Sequence, residues 1–326
     1  MRDYYFFYNG RSALNYVLNS LSLESNDEVL YPEFSCDVLF QYASKNFNYK
    51  FYKTKKNFFF NINLIKKKIT RNTRVLIIIN FFGIKQNTYE LFSYCRKNNI
   101  YLIIDDCHTF YDFNKKINKH CDFKFFSPSK IFDNVYYGGI LEVNNHSVPL
   151  NKNLKVSKIE DLGKGYLKNI IKKTKIFNEL KFSRVRPKYE NPKNFKSKFV
   201  VKNYFINKNF LSKINNENIQ KQKNISRTNF KYWNNISKKL KIIPLIDFKY
   251  VKHGIPLYFV AKCKNSKQAK QMFDLGWNNK IEITSWPTLH PKMIKNKRLI
   301  NYWKKLIFFP NSKKIFFKKE NKNWKI

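Results

Sequence analysis

The residues best suited to chemistry lie just after two strand-like runs of the sequence. Asp105, Asp106 and His108 follow the apolar run 101–104, and Lys130 comes four residues after the next run. In α/β sheets, ligands bind at the carboxyl ends of strands, so these side chains can meet at one edge of a sheet. A carboxylate there can hold a cationic group, and a lysine amine can attack a carbonyl carbon. Taken singly, an aspartate that caps a turn or a solvated lysine is the ordinary interpretation.

Two glycine-containing segments flank these residues. Asn9-Gly10-Arg11-Ser12-Ala13 is a turn that runs directly into a predicted helix. The free N–H groups and the positive dipole end of a helix start can bind an anion, although most such starts are simple caps. Gly138-Gly139 precedes another strand-like run and indicates a need for backbone freedom there.

The spacing of cysteine and histidine residues does not favour a metal site. Cys107-His108 and His120-Cys121 could supply four ligands, but adjacent residues at a strand end point to opposite faces. The spacing typical of zinc sites is missing. The five cysteines are odd in number and lack a C-x-x-C motif, which indicates a reducing compartment and no disulfide framework. We expect no metal, and the cysteines are predicted to be small buried residues.

The first half of the chain alternates strand and helix signals. Apolar residues recur at helical spacing behind the Asn9-Gly10 turn, and a second helix is predicted over 87–97. Nearly continuous apolar runs such as 75–79 are typical of strands covered on both faces. The pattern predicts a three-layer α/β domain over residues 1–205, with a mostly parallel central sheet. The strand-like runs are 29–31, 49–52, 75–79, 101–104, 123–126 and 140–143.

Residues 206–326 are predicted to form a smaller α+β domain. A helix is expected over 266–275, ended by Gly276, and strands are expected over 256–261 and 281–284. Four apolar residues that precede these elements lie at helical spacing: Phe230, Trp233, Ile236 and Leu240.

The charge of the chain is +42, from 64 Lys and Arg against 22 Asp and Glu. Such an excess is typical of proteins that bind nucleic acid or anionic membranes. Only nine of the 64 are arginine, the lysines are spread over nearly the whole length, and Asn, Ile, Phe and Tyr are enriched as well. Because A/T-rich codons explain this composition, we expect no specific nucleic acid partner. The longest apolar stretch, about ten residues at 75–84, is too short to span a bilayer, and no secretory leader is recognised. The expected localisation is cytoplasmic.

Together and in this order, the segments resemble the fold-type-I pyridoxal-phosphate enzymes, specifically the DegT/DnrJ/EryC1/StrS family of sugar aminotransferases. The similar segments are NGRSALNYVL…NDEVLYPEFSC, LIIINFFGIKQNTYELFSYCRKNNIYLIIDDCHTF and FKFFSPSKIF…YYGGIL. Weaker similarity extends to GIPLYFV, ITSWPTLHP and LIFFP. The resemblance covers most of the chain and is strongest over 9–143, whereas 144–203 match no part of the family pattern.

The resemblance implies a role for each matching residue. Lys130 matches the lysine that binds the cofactor aldehyde covalently and later moves the α-proton. Asp105 matches the acid that keeps the pyridine nitrogen protonated, with Asp106 as the alternative if the alignment shifts by one residue. His108 matches a Gln-or-His position near the 3-hydroxyl of the cofactor, and Ser127 matches a serine at its phosphate.

The phosphate turn and two arginines complete the implied site. The turn residues that match the phosphate-binding positions are Gly10, Arg11, Ser12 and Ala13. Arg11 stands where many members have threonine. Arg184 and Arg186 are candidates for the diphosphate of the substrate or the carboxylate of the amino donor.

These matches imply a pyridoxal-phosphate aminotransferase that moves an amino group from an amino acid such as glutamate to a keto-sugar. The acceptor is expected to be nucleotide-linked, within polysaccharide or secondary-metabolite biosynthesis, and the protein is expected to be a homodimer. Lys130 argues against the dehydratase branch, in which histidine replaces this lysine. The alternative is a non-catalytic, basic binding protein on the same scaffold.

Overall fold

The fold was analysed in a computed structural model of the chain. The structure describes residues 3–40, 47–110, 120–148, 150, 156–157, 189, 205–206, 208–285 and 289–312. Among these residues, no helix combines the length and apolarity needed to cross a membrane.

A mixed sheet forms the centre of the larger part of the fold. In the described residues it has nine strands, in the order β3-β2-β4-β5-β6-β7-β1-β9-β8. The block from β3 to β6 is parallel, and β7 and β1 are antiparallel to their neighbours. The strands are β1 (Asp3–Phe7), β2 (Glu28–Pro32), β3 (Asn48–Tyr52), β4 (Thr73–Ile79), β5 (Tyr101–Asp105), β6 (Phe123–Phe126), β7 (Gly139–Val143), β8 (Val156–Ser157) and β9 (Phe205–Ile206).

Helices cover this sheet on both faces. Helix α1 (Gly10–Ser20) packs against β1, β6 and β7, while α2 (Ile62–Lys66) and α3 (Tyr89–Lys97) belong to the opposite layer. Alternate residues of β4 therefore face two separate apolar clusters, which explains its continuous apolar sequence. The predicted three-layer α/β architecture with a mostly parallel sheet is confirmed.

A small antiparallel sheet follows in the C-terminal part. Its strands, in the order β10-β11-β12, are β10 (Ile243–Pro244), β11 (Tyr258–Lys262) and β12 (Leu306–Pro310). Trp233 packs against this sheet from a long helix, and its indole N–H donates to the carbonyl of Pro310 at 2.8 Å. The helices of this part are α4 (Asn216–Lys239), α5 (Ser266–Asn278), α6 (Pro291–Ile294) and α7 (Lys297–Trp303). The α+β character is as predicted, and the boundary at residue 205 stays a prediction.

The strand predicted over 281–284 is wrong. Only Thr284 pairs with a strand, through an isolated bridge to Phe308. The carbonyl of Ile283 accepts the indole N–H of Trp277 at 2.8 Å, and the N–H of Ile283 bonds to the carbonyl of Ile281. These local bonds use the backbone groups that a strand ladder would need.

A buried ion pair interrupts the apolar interior of the large sheet. Lys124 on β6 and Glu142 on β7 lie directly opposite each other, with 3.7 Å between Nζ and Oε2. Their side chains are 3% and 4% exposed. Since an unpaired buried charge is far more costly than a paired one, each residue depends on the other.

Replacing Lys124 with methionine is expected to lower the free energy of unfolding by about 3–5 kcal/mol, because Glu142 then stays buried without its counter-charge. Urea denaturation measures the loss. The control is Lys270→Met, which removes the exposed pair with Asp274 on α5 and should cost less than about 1 kcal/mol. Adding Glu142→Leu to Lys124→Met should restore much of the stability, and equal effects of the two single variants would contradict the argument.

Candidate active site

Asp105 lies at the carboxyl end of β5, in the middle of the sheet, and is 6% exposed. Its Oδ1 accepts the backbone N–H of Cys107 at 2.8 Å, and the thiol of Cys107 also hydrogen-bonds to the carboxylate. Burial raises the pKa of Asp105, and the nearby Lys130 ammonium opposes that rise. The carboxylate is therefore placed to hold a cationic group inside the protein.

Asp106 has a different set of partners. The amide of Asn80, at the end of β4, donates to its Oδ1 at 2.6 Å. Burial raises the pKa of Asp106 to about 6, against the opposing charge of Lys124. Asp105, not Asp106, has Lys130 as its cationic neighbour. This geometry favours Asp105 for the ring-nitrogen role that the sequence assigned to it.

The raised pKa of Asp106 has a consequence for stability. A carboxyl whose folded pKa of about 6 exceeds its ordinary 3.8 favours folding when protonated, below pH 3.8, and loses that contribution as pH rises past 6. The shift corresponds to roughly 3 kcal/mol. We expect Asp106→Asn to flatten the pH dependence of the unfolding free energy between pH 4 and 6.5, measured by urea titration against wild type. A parallel pH dependence in the two proteins would contradict this assignment.

Lys130 ends a short 3-10 helix, Pro128–Lys130, that follows β6. Its side chain is exposed, whereas Ser127, at the start of this turn, is 4% exposed. The ammonium acts electrostatically on Asp105, Cys107 and His108, so it lies within range of all three groups. Because the side chain is exposed, the amine is accessible to a small molecule.

His108 is held between the site and the core. Its Nδ1 accepts the backbone N–H of Phe82 at 3.3 Å, and its ring stacks on the Phe82 ring with 5.6 Å between centroids. Burial, together with the charge of Lys130, holds the pKa of His108 well below its ordinary value. The imidazole is therefore neutral.

Gly10 begins α1 beside the same group of residues. A Cβ at Gly10 would lie 2.5 Å from Sγ of Cys107, 3.4 Å from the Phe125 ring and 3.6 Å from the carbonyl of Phe126, the residue before Ser127. The helix start thus approaches the Cys107 side chain, two residues after Asp105, so closely that a Cβ at position 10 would displace the sulfur. Ser12 and Ala13 are fully buried behind it, and Arg11 is partly buried. The Oδ1 of Asn9 caps the helix by accepting the N–H of Ser12 at 3.0 Å.

Gly10→Ala is expected to lower the free energy of unfolding by about 1–3 kcal/mol, because the new methyl group overpacks against the Cys107 sulfur. Urea denaturation of Gly10→Ala, Cys107→Ala and the double variant forms a cycle that isolates this contact. Cys107→Ala should rescue Gly10→Ala. Additive losses in the double variant would show that the clash is absent.

Some predicted residues are not placed. Arg184 and Arg186 lie outside the described residues, so their substrate role stays a prediction. Among the described residues, no group of three or more His, Cys, Asp or Glu side chains could hold a metal ion.

Sequence reasoning missed Asn80 and Phe82. The only signal for Asn80 was a polar residue at the end of an apolar run, and Phe82 acts through its backbone, which its residue type does not reveal.

The residues fit pyridoxal phosphate. A buried carboxylate suits a protonated ring nitrogen, an exposed amine suits an aldehyde, and the helix start at Gly10 suits a phosphate. With the three-layer sheet, they are the parts that a fold-type-I, pyridoxal-phosphate-dependent aminotransferase requires.

Comparison with known proteins gives a partial family match. The model of the DegT/DnrJ/EryC1/StrS aminotransferase family matches residues 6–154, a little under half of the chain. No curated protein matches the chain significantly by sequence. The resemblance seen in the sequence, the enzyme class and the cofactor are thereby confirmed.

Solved structures share the fold at low identity. PseC from Helicobacter pylori, an aminotransferase involved in the biosynthesis of pseudoaminic acid, is 14% identical with a TM-score of 0.60, covering 94% of this chain and 81% of PseC. NtdA from Bacillus subtilis, solved with bound cofactor PMP, is 14% identical with a TM-score of 0.58, covering 94% and 68%. DesV from S. venezuelae is 11% identical with a TM-score of 0.60, covering 94% and 79%.

Proposed function

We propose that this aminotransferase carries an amino group from an amino acid, glutamate being the expected donor, to a nucleotide-linked keto-sugar. The observation that carries the proposal is the electrostatic interaction between the exposed Lys130 ammonium and the buried Asp105 carboxylate. The sugar aminotransferase family and the PseC-like fold support a sugar as acceptor. The cytoplasm and a homodimer are the setting that we propose for it, in the synthesis of a polysaccharide or secondary metabolite.

Each residue has a distinct task in this proposal. Pyridoxal phosphate, when bound, supplies an electron sink that acidifies the Cα–H bond of the attached amine. Asp105 would keep the proton on the ring nitrogen, because the attraction between a carboxylate and a cationic nitrogen is strong where both are buried away from water. Lys130 would hold the cofactor covalently, and its amine would serve as the group that moves the proton to and from carbon.

The remaining residues position the cofactor. The N–H groups at the start of α1, with the Arg11 guanidinium beside them, would bind the phosphate dianion. Ser127 would add a hydroxyl to that group, and His108 would hydrogen-bond to the ring oxygen. Arg184 and Arg186 remain our candidates for binding substrate anions.

The test separates the two half-reactions. Cofactor-loaded protein is mixed with single amino acids while the visible band is recorded, and its loss identifies the donor. Nucleotide-linked and free keto-sugars are then added to the aminated protein, and mass spectrometry detects the aminated sugar. We expect glutamate to bleach the band and a nucleotide-linked keto-sugar to restore it. Restoration only by simple 2-oxo acids would overturn the sugar assignment.

A further inference from the structure

The backbone turn beneath His108 adopts an unusual conformation. Phe82 and Gly83 both have left-handed φ values, 56° and 84°. Phe82 is fully buried, and a bulky residue in this conformation costs on the order of 1 kcal/mol or more. Such strain persists only where the surrounding structure imposes it, so contacts around the turn must hold it in place.

Those contacts come from the segment 255–257. A Cβ at Gly83 would lie 3.0 Å from Cβ of Pro256. On either side of this proline, the N–H of Leu257 donates to the carbonyl of His108 at 2.9 Å, and that of Ile255 donates to the carbonyl of Phe110 at 3.0 Å. One segment therefore fixes both the Phe82 turn and the loop that carries His108.

At this turn, the N–H of Phe82 donates to Nδ1 of His108 at 3.3 Å. A ring nitrogen that accepts a hydrogen bond carries no proton, so the proton of a neutral imidazole is on the other nitrogen. We infer that Phe82 is a positioning residue that fixes His108 as the neutral Nε2–H tautomer, a permanent hydrogen-bond donor toward the cofactor. His108 then takes no part in proton transfer, which is left to Lys130. The donor role rests on the proposed function, whereas the tautomer does not.

The tautomer can be measured in the cofactor-free protein. Selective ¹⁵N-histidine labelling reports the protonation of each ring nitrogen, and His108→Gln assigns the signal among the five histidines. His290 is a matched reference, because its Nδ1 accepts the N–H of Lys292 at 3.1 Å far along the chain. We expect both rings to be neutral and protonated on Nε2 at pH 7, with a through-hydrogen-bond coupling between the Phe82 amide and His108 Nδ1. A protonated Nδ1 at His108 would overturn the inference.

A backbone variant tests whether the turn imposes this state. Gly83→Ala places a methyl group against Pro256 and Thr109 at a left-handed φ, which should displace the turn. We expect His108 to become a mixture of tautomers while His290 is unchanged. An unchanged His108 in folded Gly83→Ala would show that Phe82 does not set the tautomer. If Gly83→Ala does not fold, the wild-type coupling decides the question.

The donor role has its own readout. Glutamine can accept from the Phe82 N–H and donate from the same terminal group, whereas leucine can do neither. We expect cofactor dissociation constants within about threefold of wild type for His108→Gln, and weakened about tenfold or more for His108→Leu. Equal affinities of the two variants would overturn the donor role while leaving the tautomer result standing. Absence of cofactor binding to the wild type would instead refute the proposed function.

Discussion

Lys130→Ala is expected to remove the visible absorption band of the cofactor-loaded protein and to lower transamination at least 10²- to 10⁴-fold. The band requires a covalent bond to a primary amine, and Lys130 is the amine beside Asp105. Transamination falls because the variant lacks both the covalent attachment of the cofactor and the amine that moves the proton to and from carbon. Because the side chain is exposed, its removal should leave the unfolding free energy within about 0.5 kcal/mol of wild type.

The matched control for this experiment is Lys249→Ala, which removes another exposed lysine, one paired with Asp247. It should keep the band and the activity. Borohydride treatment followed by mass spectrometry locates the cofactor on the peptide that contains Lys130 in the wild type. A reducible covalent adduct of normal yield in Lys130→Ala would refute the assignment of this lysine.

Asp105→Asn is expected to retain some cofactor but to lose most of its activity, by roughly 10²-fold or more. A neutral amide cannot hold a proton on the ring nitrogen, so the ring withdraws electrons weakly and the α-proton becomes less acidic. Single-turnover bleaching by the donor amino acid measures this step directly. Cofactor affinity, measured in parallel by absorbance titration, separates loss of binding from loss of chemistry.

Asp106→Asn is the matched comparison, because the same change is made one residue further along. Asp106 is bonded to Asn80 and has Lys124 rather than Lys130 as its cationic neighbour, so its effect on single-turnover bleaching should be milder. The reverse ranking would move the ring-nitrogen role to Asp106. It would also remove His108 from its assigned place, since its position is counted from Asp105.

Local patterns in the sequence predicted most helices and strands, because residues within each of these elements determine its structure. The helix at Gly10 follows from the Asn9 cap and apolar spacing, and β4 follows from continuous burial. Strand β1 was not predicted, although its aromatic residues favour a strand. Its pairing with β7 and β9, whose residues lie far along the chain, is the part that its own sequence does not show.

The candidate site was only partly predictable for a similar reason. Residue types and order pointed to Asp105 and Lys130, and the structure brings them together. The residues that hold them act through contacts with no sequence motif: the close approach of Cys107 to Gly10, and the backbone of Phe82. These contacts depend on tertiary geometry, which composition and spacing do not encode.

The pairing of Lys124 with Glu142 affects the register between strands β6 and β7. The connection between β6 and β7, residues 127–138, carries Lys130. A slip of one residue between these strands would turn one charge to the other face of the sheet. A slip of two residues would keep both charges on the same face of the sheet but would separate Lys124 from Glu142. Apolar packing alone would not prevent this change of register. The ion pair therefore specifies the register of the two strands, and with it the position of the Lys130 amine.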